Sequence, residues 1–136
     1  LASALVDSPA GTAAWLWERR HNWSDNNGDV ESVFSREDLC TNASLYWCTG
    51  AITSSLRIYF EHFNKPWPLV HDHQKIIETP TSYAIFPKDV VMLPKKIAEE
   101  KTNLFRWTVM EAGGHFGAAE QPELLVNDIR ETFSQS

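Results

Sequence analysis

Two residues of the chain have the chemical types and the positions that acid–base chemistry requires. Asp89 follows the apolar, β-rich run 81–86, and His115 follows a second such run, 104–110, after a pair of glycines. In an open parallel sheet, catalytic groups collect beyond the carboxyl ends of the strands, and neighbouring strands lie about 4.8 Å apart. We therefore predict that the Asp89 carboxylate orients the His115 imidazole, which acts as a general base.

Each of the two residues also has an ordinary explanation. A histidine after two glycines is commonly a simple loop residue, and an aspartate after a strand commonly caps the next helix. Asp89 and His115 are 26 positions apart, which leaves room for one crossover helix and one strand. Their matching places after consecutive strands favour the catalytic interpretation, although spacing alone leaves both interpretations open.

The elements that must position these residues change in character along the chain. The first half is predicted to be helical, with Ser8 and the pair Ser35 and Asp38 as N-terminal caps, and Pro66 and Pro68 end this helical half. The second half is predicted to alternate strand, helix, strand, helix. The predicted helices cover 8–23, 36 to about 47, 52–63, 94–101 and 122–133, and the predicted strands cover 81–86 and 104–110.

A strand, a helix and another strand in succession are typical of a parallel βαβ unit. Two strands alone do not make a stable sheet, and parallel sheets need further strands and covered faces. We therefore predict an α/β protein, and within it the closing end of a larger sheet preceded by a helical insertion.

Composition narrows the function classes. The chain has 136 residues, of which 43% are apolar and 22% charged, as in folded globular proteins. Its net charge is −6 and it has no cluster of Lys and Arg, so nucleic-acid binding is disfavoured. No apolar run has the length of a membrane span. The sequence starts at Leu1 without a signal segment, so we expect the natural start to lie upstream, and we expect a cytoplasmic protein.

The sequence predicts neither a disulfide nor a metal or organic cofactor. Cys40 and Cys48 lie in one predicted helix, about 12 Å apart at a rise of about 1.5 Å per residue, so they are predicted to be buried free thiols. His71 and His73 flank Asp72, but no further ligand stands at a usable spacing. We predict a polar turn there.

Several runs of the sequence resemble, in the same order, the microsomal-type and the fungal or bacterial epoxide hydrolases of the α/β-hydrolase superfamily. The resemblance covers nearly the whole chain, and its last run is the most specific. The runs are Asp7-Ser8-Pro9-Ala10-Gly11, Tyr46-Trp47-Cys48-Thr49-Gly50, Ser55-Leu56-Arg57-Ile58-Tyr59, Phe86-Pro87-Lys88-Asp89 and Gly113-Gly114-His115-Phe116-Gly117-Ala118-Ala119-Glu120-Gln121-Pro122-Glu123.

The resemblance implies the C-terminal part of an α/β-hydrolase fold, with residues 1–66 in the helical lid and 67–136 in the last strands and helices of the core. It implies that Asp89 is the acid, His115 the base, and Tyr59 one of two lid tyrosines that donate to the epoxide oxygen. It also implies a mechanism in which an aspartate nucleophile opens the epoxide to an alkyl-enzyme ester, and water activated by the histidine hydrolyses this ester to a vicinal diol. The expected partners are a small apolar epoxide, water, an N-terminal half of the same fold and a second copy in a homodimer.

An apolar substrate also needs apolar walls, for which the chain offers aromatic side chains. We expect Trp15, Trp17, Trp47 and Phe116 to line the substrate site, although the tryptophans are equally suited to a lid core. Tyr59, too, has the helical spacing of an ordinary core residue.

The sequence departs from the family pattern in one respect, since neither Gly-x-Ser-x-Gly nor small-x-Asp-x-small occurs in it. We expect the nucleophile, the oxyanion-hole donors and the second tyrosine upstream, and the 136 residues alone to be inactive. Two other function classes stay open: another α/β-hydrolase, such as an esterase or haloalkane dehalogenase, and a non-catalytic binding or interaction fragment.

Overall fold

The computed structural model describes residues 2–65, 71–72 and 74–134. The chain forms two compact units, each with its own packing: Leu1–Asn22 with Gly28–Pro68, and Trp23–Asn27 with Leu69–Ser136. The boundary predicted between residues 66 and 67, and the two prolines predicted to end the helical half, lie outside the described residues.

The first unit is helical, as predicted. Its described residues form four α-helices, α1 (Ala2–Val6), α2 (Pro9–Trp23), α3 (Arg36–Cys48) and α4 (Ile52–Asn64), with a short 3-10 turn at Val30–Ser32 between α2 and α3. Helix α1 was not predicted, because five residues are too few to show a helical period.

Local side chains start the longer helices. The Ser8 hydroxyl accepts from the Gly11 N–H at 3.1 Å near the start of α2, and Ser35 and Asp38 form the predicted capping box of α3. Both caps supply acceptors to N–H groups that have no partner within their own helix. Between α3 and α4 the chain turns at Gly50, whose φ of +65° suits glycine.

A small apolar core holds the first unit together. Helix α1 packs against α4, and the Thr12 side chain, fully buried, donates to the Leu5 carbonyl at 2.8 Å. The Trp17 indole N–H donates to the Leu39 carbonyl at 2.8 Å. The buried apolar side chains of this unit are Leu5, Phe34, Leu39, Ala43 and Ile52.

The second unit contains the predicted parallel βαβ arrangement. Strand β1 (Ile77–Ile85) and strand β2 (Thr102–Val109) pair in parallel. Helix α5 (Lys95–Lys101) connects them, with Pro94 as its N-cap rather than in its first turn. Two further helices follow, α6 (Gly117–Glu120) and α7 (Pro122–Ser134), and α6 was not predicted.

Both strands begin earlier than predicted, β2 at Thr102 rather than at residue 104, and each ends one residue before its predicted end. Strand β1 begins at Ile77 rather than at residue 81, and the register of its pairing with β2 shifts between Ile77 and Pro80. Proline has no N–H to donate, so the hydrogen-bond ladder is irregular there. The regular pairing from Ser82 to Ile85 lies within the apolar, β-rich run from which the strand was predicted.

Helix α7 is fastened to the sheet by polar contacts. The nearly buried Asp128 carboxylate accepts from the Arg106 guanidinium at 2.7 Å and from the Thr108 hydroxyl at 2.6 Å, both from β2. Thr132 donates to Ser82 of β1 at 3.1 Å. These contacts fix the helix that follows His115 against the strands that precede it.

The prediction of buried thiols is wrong. Cys40 and Cys48 are free, as predicted, but both are exposed. On α3 the buried positions are Leu39 and Ala43. The two cysteines lie on a different face of the helix, which they share with the exposed Ser44 at intervals of four residues.

No helix in the described part of the chain combines the length and the apolar character that a membrane span needs.

Candidate functional site

The loops that leave β1 and β2 stay together beyond the ends of the strands. The Met110 N–H donates to the Ile85 carbonyl at 2.8 Å. Farther along, the Lys88 N–H donates to the Gly113 carbonyl at 3.0 Å, and Lys88 and Gly114 form a parallel bridge. Asp89 directly follows Lys88, and His115 directly follows Gly114. Because the two backbones remain paired up to these positions, Asp89 and His115 lie side by side.

The structure brings the two predicted residues into hydrogen-bond contact. The His115 Nδ1 lies 2.9 Å from the Asp89 Oδ1, and their side chains are 37% and 29% exposed. In the tautomer that carries its proton on Nδ1, this proton is donated to the carboxylate and the lone pair of Nε2 is left to accept a proton. The pair has the geometry of an oriented general base. Its catalytic role stays a prediction.

Two aromatic rings flank the imidazole. The Trp23 ring stands edge-on to it at 5.1 Å between centroids, and the Phe116 ring at 5.2 Å. Phe116 was expected to line a substrate site, and the structure places it beside the base. Trp23 was missed, because nothing in the spacing of the sequence connects the last residue of α2 with a loop near the other end of the chain.

A carboxylate fixes the backbone around His115. The Glu120 Oε2 accepts from the Gly114 N–H at 2.8 Å and from the Asp25 N–H at 2.7 Å, and its Oε1 accepts from the Phe116 N–H at 2.8 Å. The N–H of His115 itself donates to the Trp23 carbonyl at 2.8 Å. The sequence analysis missed Glu120 as a functional residue, although it lies within the most specific of the matching runs.

A second carboxylate, that of Asp25, joins the two loops. It accepts from the Lys88 ammonium at 2.5 Å and from the Gly113 N–H at 3.1 Å. Both donors stabilise the ionised form, the lysine most, and hold the pKa of Asp25 below its ordinary value of 3.8. Asp25 therefore ties the loop that carries Asp89 to the loop that carries His115.

Glycine is required at two positions of the His115 loop. Gly113 has a φ of +107°, which side chains rarely allow. At Gly114, a Cβ would lie 2.6 Å from the Trp23 carbonyl oxygen and 3.0 Å from the Asp25 nitrogen. These are backbone atoms, which cannot rotate away as a flexible side chain can. The hydrogen bond from the His115 N–H to the Trp23 carbonyl therefore requires a residue without a side chain at position 114.

The other predicted site residues belong to the first unit, where each has its own surroundings. Tyr59 lies on α4 with its side chain 49% exposed. Trp15 is half-buried and packs against the Arg19 guanidinium at 3.9 Å, Trp17 bonds to the Leu39 carbonyl, and Trp47 is half-buried on α3. Their predicted roles at a substrate site stay predictions.

The segment around His71 offers only one described histidine as a metal ligand. The His71 Nε2 lies 3.1 Å from the Ile76 carbonyl oxygen, while His73 lies outside the described residues. In the described ranges no three or more His, Cys, Asp or Glu residues are grouped so as to hold a metal ion.

Comparisons with known proteins give a consistent result. No protein-family model matches the chain. It is 39% identical over 133 residues to a "Putative epoxide hydrolase" of Stigmatella aurantiaca and 39% identical over 134 residues to "Epoxide hydrolase 1" of Oryctolagus cuniculus. These matches cover 97% and 93% of this chain but 29% of each relative.

Solved structures agree with the sequence comparison. Juvenile hormone epoxide hydrolase from the silkworm Bombyx mori matches with a TM-score of 0.83 at 28% identity, over 98% of this chain and 36% of that one. An enantioselective mutant of the Aspergillus niger epoxide hydrolase matches with a TM-score of 0.77 at 28% identity, over 98% of this chain and 33% of its own.

These matches confirm the predicted fold class, so the chain folds as part of an α/β-hydrolase. They also confirm the predicted resemblance: the chain is homologous to part of the epoxide hydrolases, and it spans about 29% of the length of the curated relatives named above. That share fits the C-terminal portion.

The glycine contacts lead to a stability prediction. Gly114→Ala should lower the free energy of unfolding by about 1–3 kcal/mol, the usual cost of forcing extra atoms into a packed place. Gly11→Ala is the matched control, because its Cβ would meet only ordinary contacts in α2 and alanine favours a helix interior by about 0.5–1 kcal/mol. Denaturant unfolding measures both variants, and equal stability of the two would contradict the close approach at Gly114.

Proposed function

We propose that this chain is the portion of an epoxide hydrolase that carries the acid, the base and one tyrosine of the active site. The observation that supports the proposal most is the contact of 2.9 Å between His115 and Asp89 beyond two parallel strands. It occurs in a chain whose relatives are named epoxide hydrolases.

In the proposed reaction, an aspartate nucleophile on a segment outside these 136 residues attacks one carbon of the epoxide. The C–O bond of the ring breaks and an alkyl-enzyme ester forms. His115 Nε2 then takes a proton from water while the water oxygen attacks the ester carbonyl. The ester C–O bond then breaks as its alkyl oxygen takes the proton back from His115, which releases the vicinal diol. The carboxylic acid that remains gives its proton to the phenolate left by ring opening, which restores the nucleophile's carboxylate.

Asp89 is proposed to have two roles in this step. Its hydrogen bond to Nδ1 holds the imidazole in the tautomer whose Nε2 can accept a proton, and its negative charge stabilises the imidazolium that forms. The rings of Trp23 and Phe116 lie beside the imidazole. They are proposed to make its surroundings apolar and so to limit the access of bulk water to the ester.

Tyr59 is proposed to donate its phenol proton to the epoxide oxygen as the ring opens. A donor aimed at the developing alkoxide stabilises the transition state. Two observations support its availability: the Tyr59 side chain is about half exposed, and the same helix exposes the apolar side chains of Phe60 and Phe63. This exposed part of α4, together with Trp15, Trp17 and Trp47, is proposed to bind a small apolar epoxide.

The proposed reaction needs a second part of the protein besides these 136 residues. The nucleophile is supplied by an N-terminal half of the same fold, so the 136 residues alone do not hydrolyse epoxides. A homodimer and a cytoplasmic location are further parts of the proposal, and the reaction as written uses no metal ion or organic cofactor.

Of the predictions that follow from the proposed function, the first separates the two chemical steps. In the longer protein, with this chain joined to its nucleophile-bearing segment, His115→Gln should still form the alkyl-enzyme ester from styrene oxide but should not hydrolyse it. The reason is that His115 acts on water in the second step only. Mass spectrometry of the protein should show a persistent mass increase equal to one styrene oxide.

Two controls accompany this measurement. The parent protein should turn over repeatedly and show little ester, and the 136-residue chain alone should show neither ester nor diol above the buffer rate. Full multiple turnover in His115→Gln would mean that the imidazole has only a structural role.

The second prediction distinguishes epoxide chemistry from the chemistry of other α/β-hydrolases. Tyr59→Phe should slow the opening of an epoxide by up to about 10²–10³-fold, the usual effect of losing one oxyanion-type donor. A second tyrosine outside this chain would share the role and reduce the loss. Hydrolysis of a nitrophenyl ester should hardly change, because its leaving group needs no proton.

Tyr46→Phe is the matched control, since it removes a phenol from α3, in the same unit. Single-turnover rates on both substrates and the melting temperature are measured for both variants. If Tyr59→Phe lowers stability and slows both substrates equally, the residue is an ordinary packing residue, and the esterase or dehalogenase interpretation gains support.

A further inference from the structure

Glu120 makes an unusual set of contacts for a surface helix residue. Its carboxylate accepts three backbone N–H groups at 2.7–2.8 Å, those of Asp25, Gly114 and Phe116. Gly114 and Phe116 are the immediate neighbours of His115, so one side chain holds the peptide groups on both sides of the base. The third donor, Asp25, lies 95 positions away along the chain.

The contacts around His115 leave its backbone little freedom. The Gly114 N–H and the Phe116 N–H are bound by Glu120, and the His115 N–H between them donates to the Trp23 carbonyl. Hydrogen bonds to an ionised acceptor are roughly twice as strong as neutral ones. Three consecutive N–H groups are therefore fixed, and with them the direction in which the His115 side chain leaves the backbone.

Helix capping does not account for this arrangement. Glu120 is the last residue of the four-residue helix α6, and its side chain reaches back past the start of that helix. It also binds the Asp25 N–H, which belongs to no part of α6. Together these contacts hold the loop 113–116 against the segment 23–25, to which His115 is also bound through the Trp23 carbonyl.

We propose that Glu120 is a positioning residue for the general base. This inference rests on the proposed function of His115. Glu120 does not touch the reacting atoms; it holds the backbone of His115 so that the imidazole meets both Asp89 and the attacking water. A misplacement of the order of 1 Å can cost about 10²-fold in rate. The effect should fall on ester hydrolysis and not on ester formation, because only the second step uses the imidazole.

The test compares Glu120→Gln and Glu120→Ala with Glu123→Gln in the longer protein. Glu123 is an exposed carboxylate in the first turn of α7, so its variant controls for the loss of one negative charge nearby. Glutamine keeps one acceptor oxygen and alanine keeps none. Each protein is mixed with styrene oxide, and the reaction is stopped after short times. Mass spectrometry of the quenched samples gives the rates of ester formation and ester breakdown separately.

We expect ester formation at the parent rate in all three variants. Ester breakdown should slow roughly 10–100-fold in Glu120→Ala, less in Glu120→Gln, and not in Glu123→Gln. Amide hydrogen exchange at Gly114 and Phe116 should be faster in both Glu120 variants than in the parent and the Glu123 variant.

Three outcomes would overturn the inference, and they are distinguishable. Equal ester breakdown in the Glu120 and Glu123 variants would show that the contacts do not matter for the base. Equal slowing of both steps, even in the conservative Glu120→Gln variant, would show a general structural role. A parent protein that forms no ester at all would reject the proposed function itself, and the positioning role with it.

Discussion

Continued backbone pairing beyond β1 and β2 is the constraint on which the site depends. The Lys88 N–H bound to the Gly113 carbonyl sets two loops side by side, so that Asp89 and His115 meet at 2.9 Å. Two carboxylates stabilise this arrangement, since Asp25 joins Lys88 to Gly113 and Glu120 holds the neighbours of His115. Backbone contacts of this kind leave the imidazole and the Asp89 carboxylate available for chemistry.

The sheet and helices set the conditions for these loops. Asp128 accepts hydrogen bonds from Arg106 and Thr108, so the helix that follows His115 is bound to the strand that precedes it. The nearly buried Phe86 ring lies where a side chain at Gly113 or Gly117 would have to go. The glycines thus admit the close packing that the backbone hydrogen bonds require.

Much of this could be predicted from the sequence, because the relevant signals are local. Caps such as Ser35 with Asp38, and the placement of Asp89 and His115 after consecutive apolar strands, follow from residue types at short spacing. Trp23 could not be predicted as part of the site, since its contacts join distant segments and leave no period. Glu120 was missed because a glutamate at the end of a short helix has no local signal of function, and its third contact, with Asp25, lies 95 positions away. The thiols were misplaced because two cysteines eight positions apart on α3 lie nearly on one face, and here that face is the exposed one.

The protonation of the two His115 ring nitrogens shows whether Asp89 orients this imidazole as a base. Nitrogen-15 NMR of the neutral imidazole, in the longer protein, reports which ring nitrogen carries the proton. We expect a proton on Nδ1, donated to Asp89, with Nε2 unprotonated, and a change of this state in Asp89→Asn. A neutral ring that carries its proton on Nε2 in the parent protein would contradict the assignment of His115 as an oriented base.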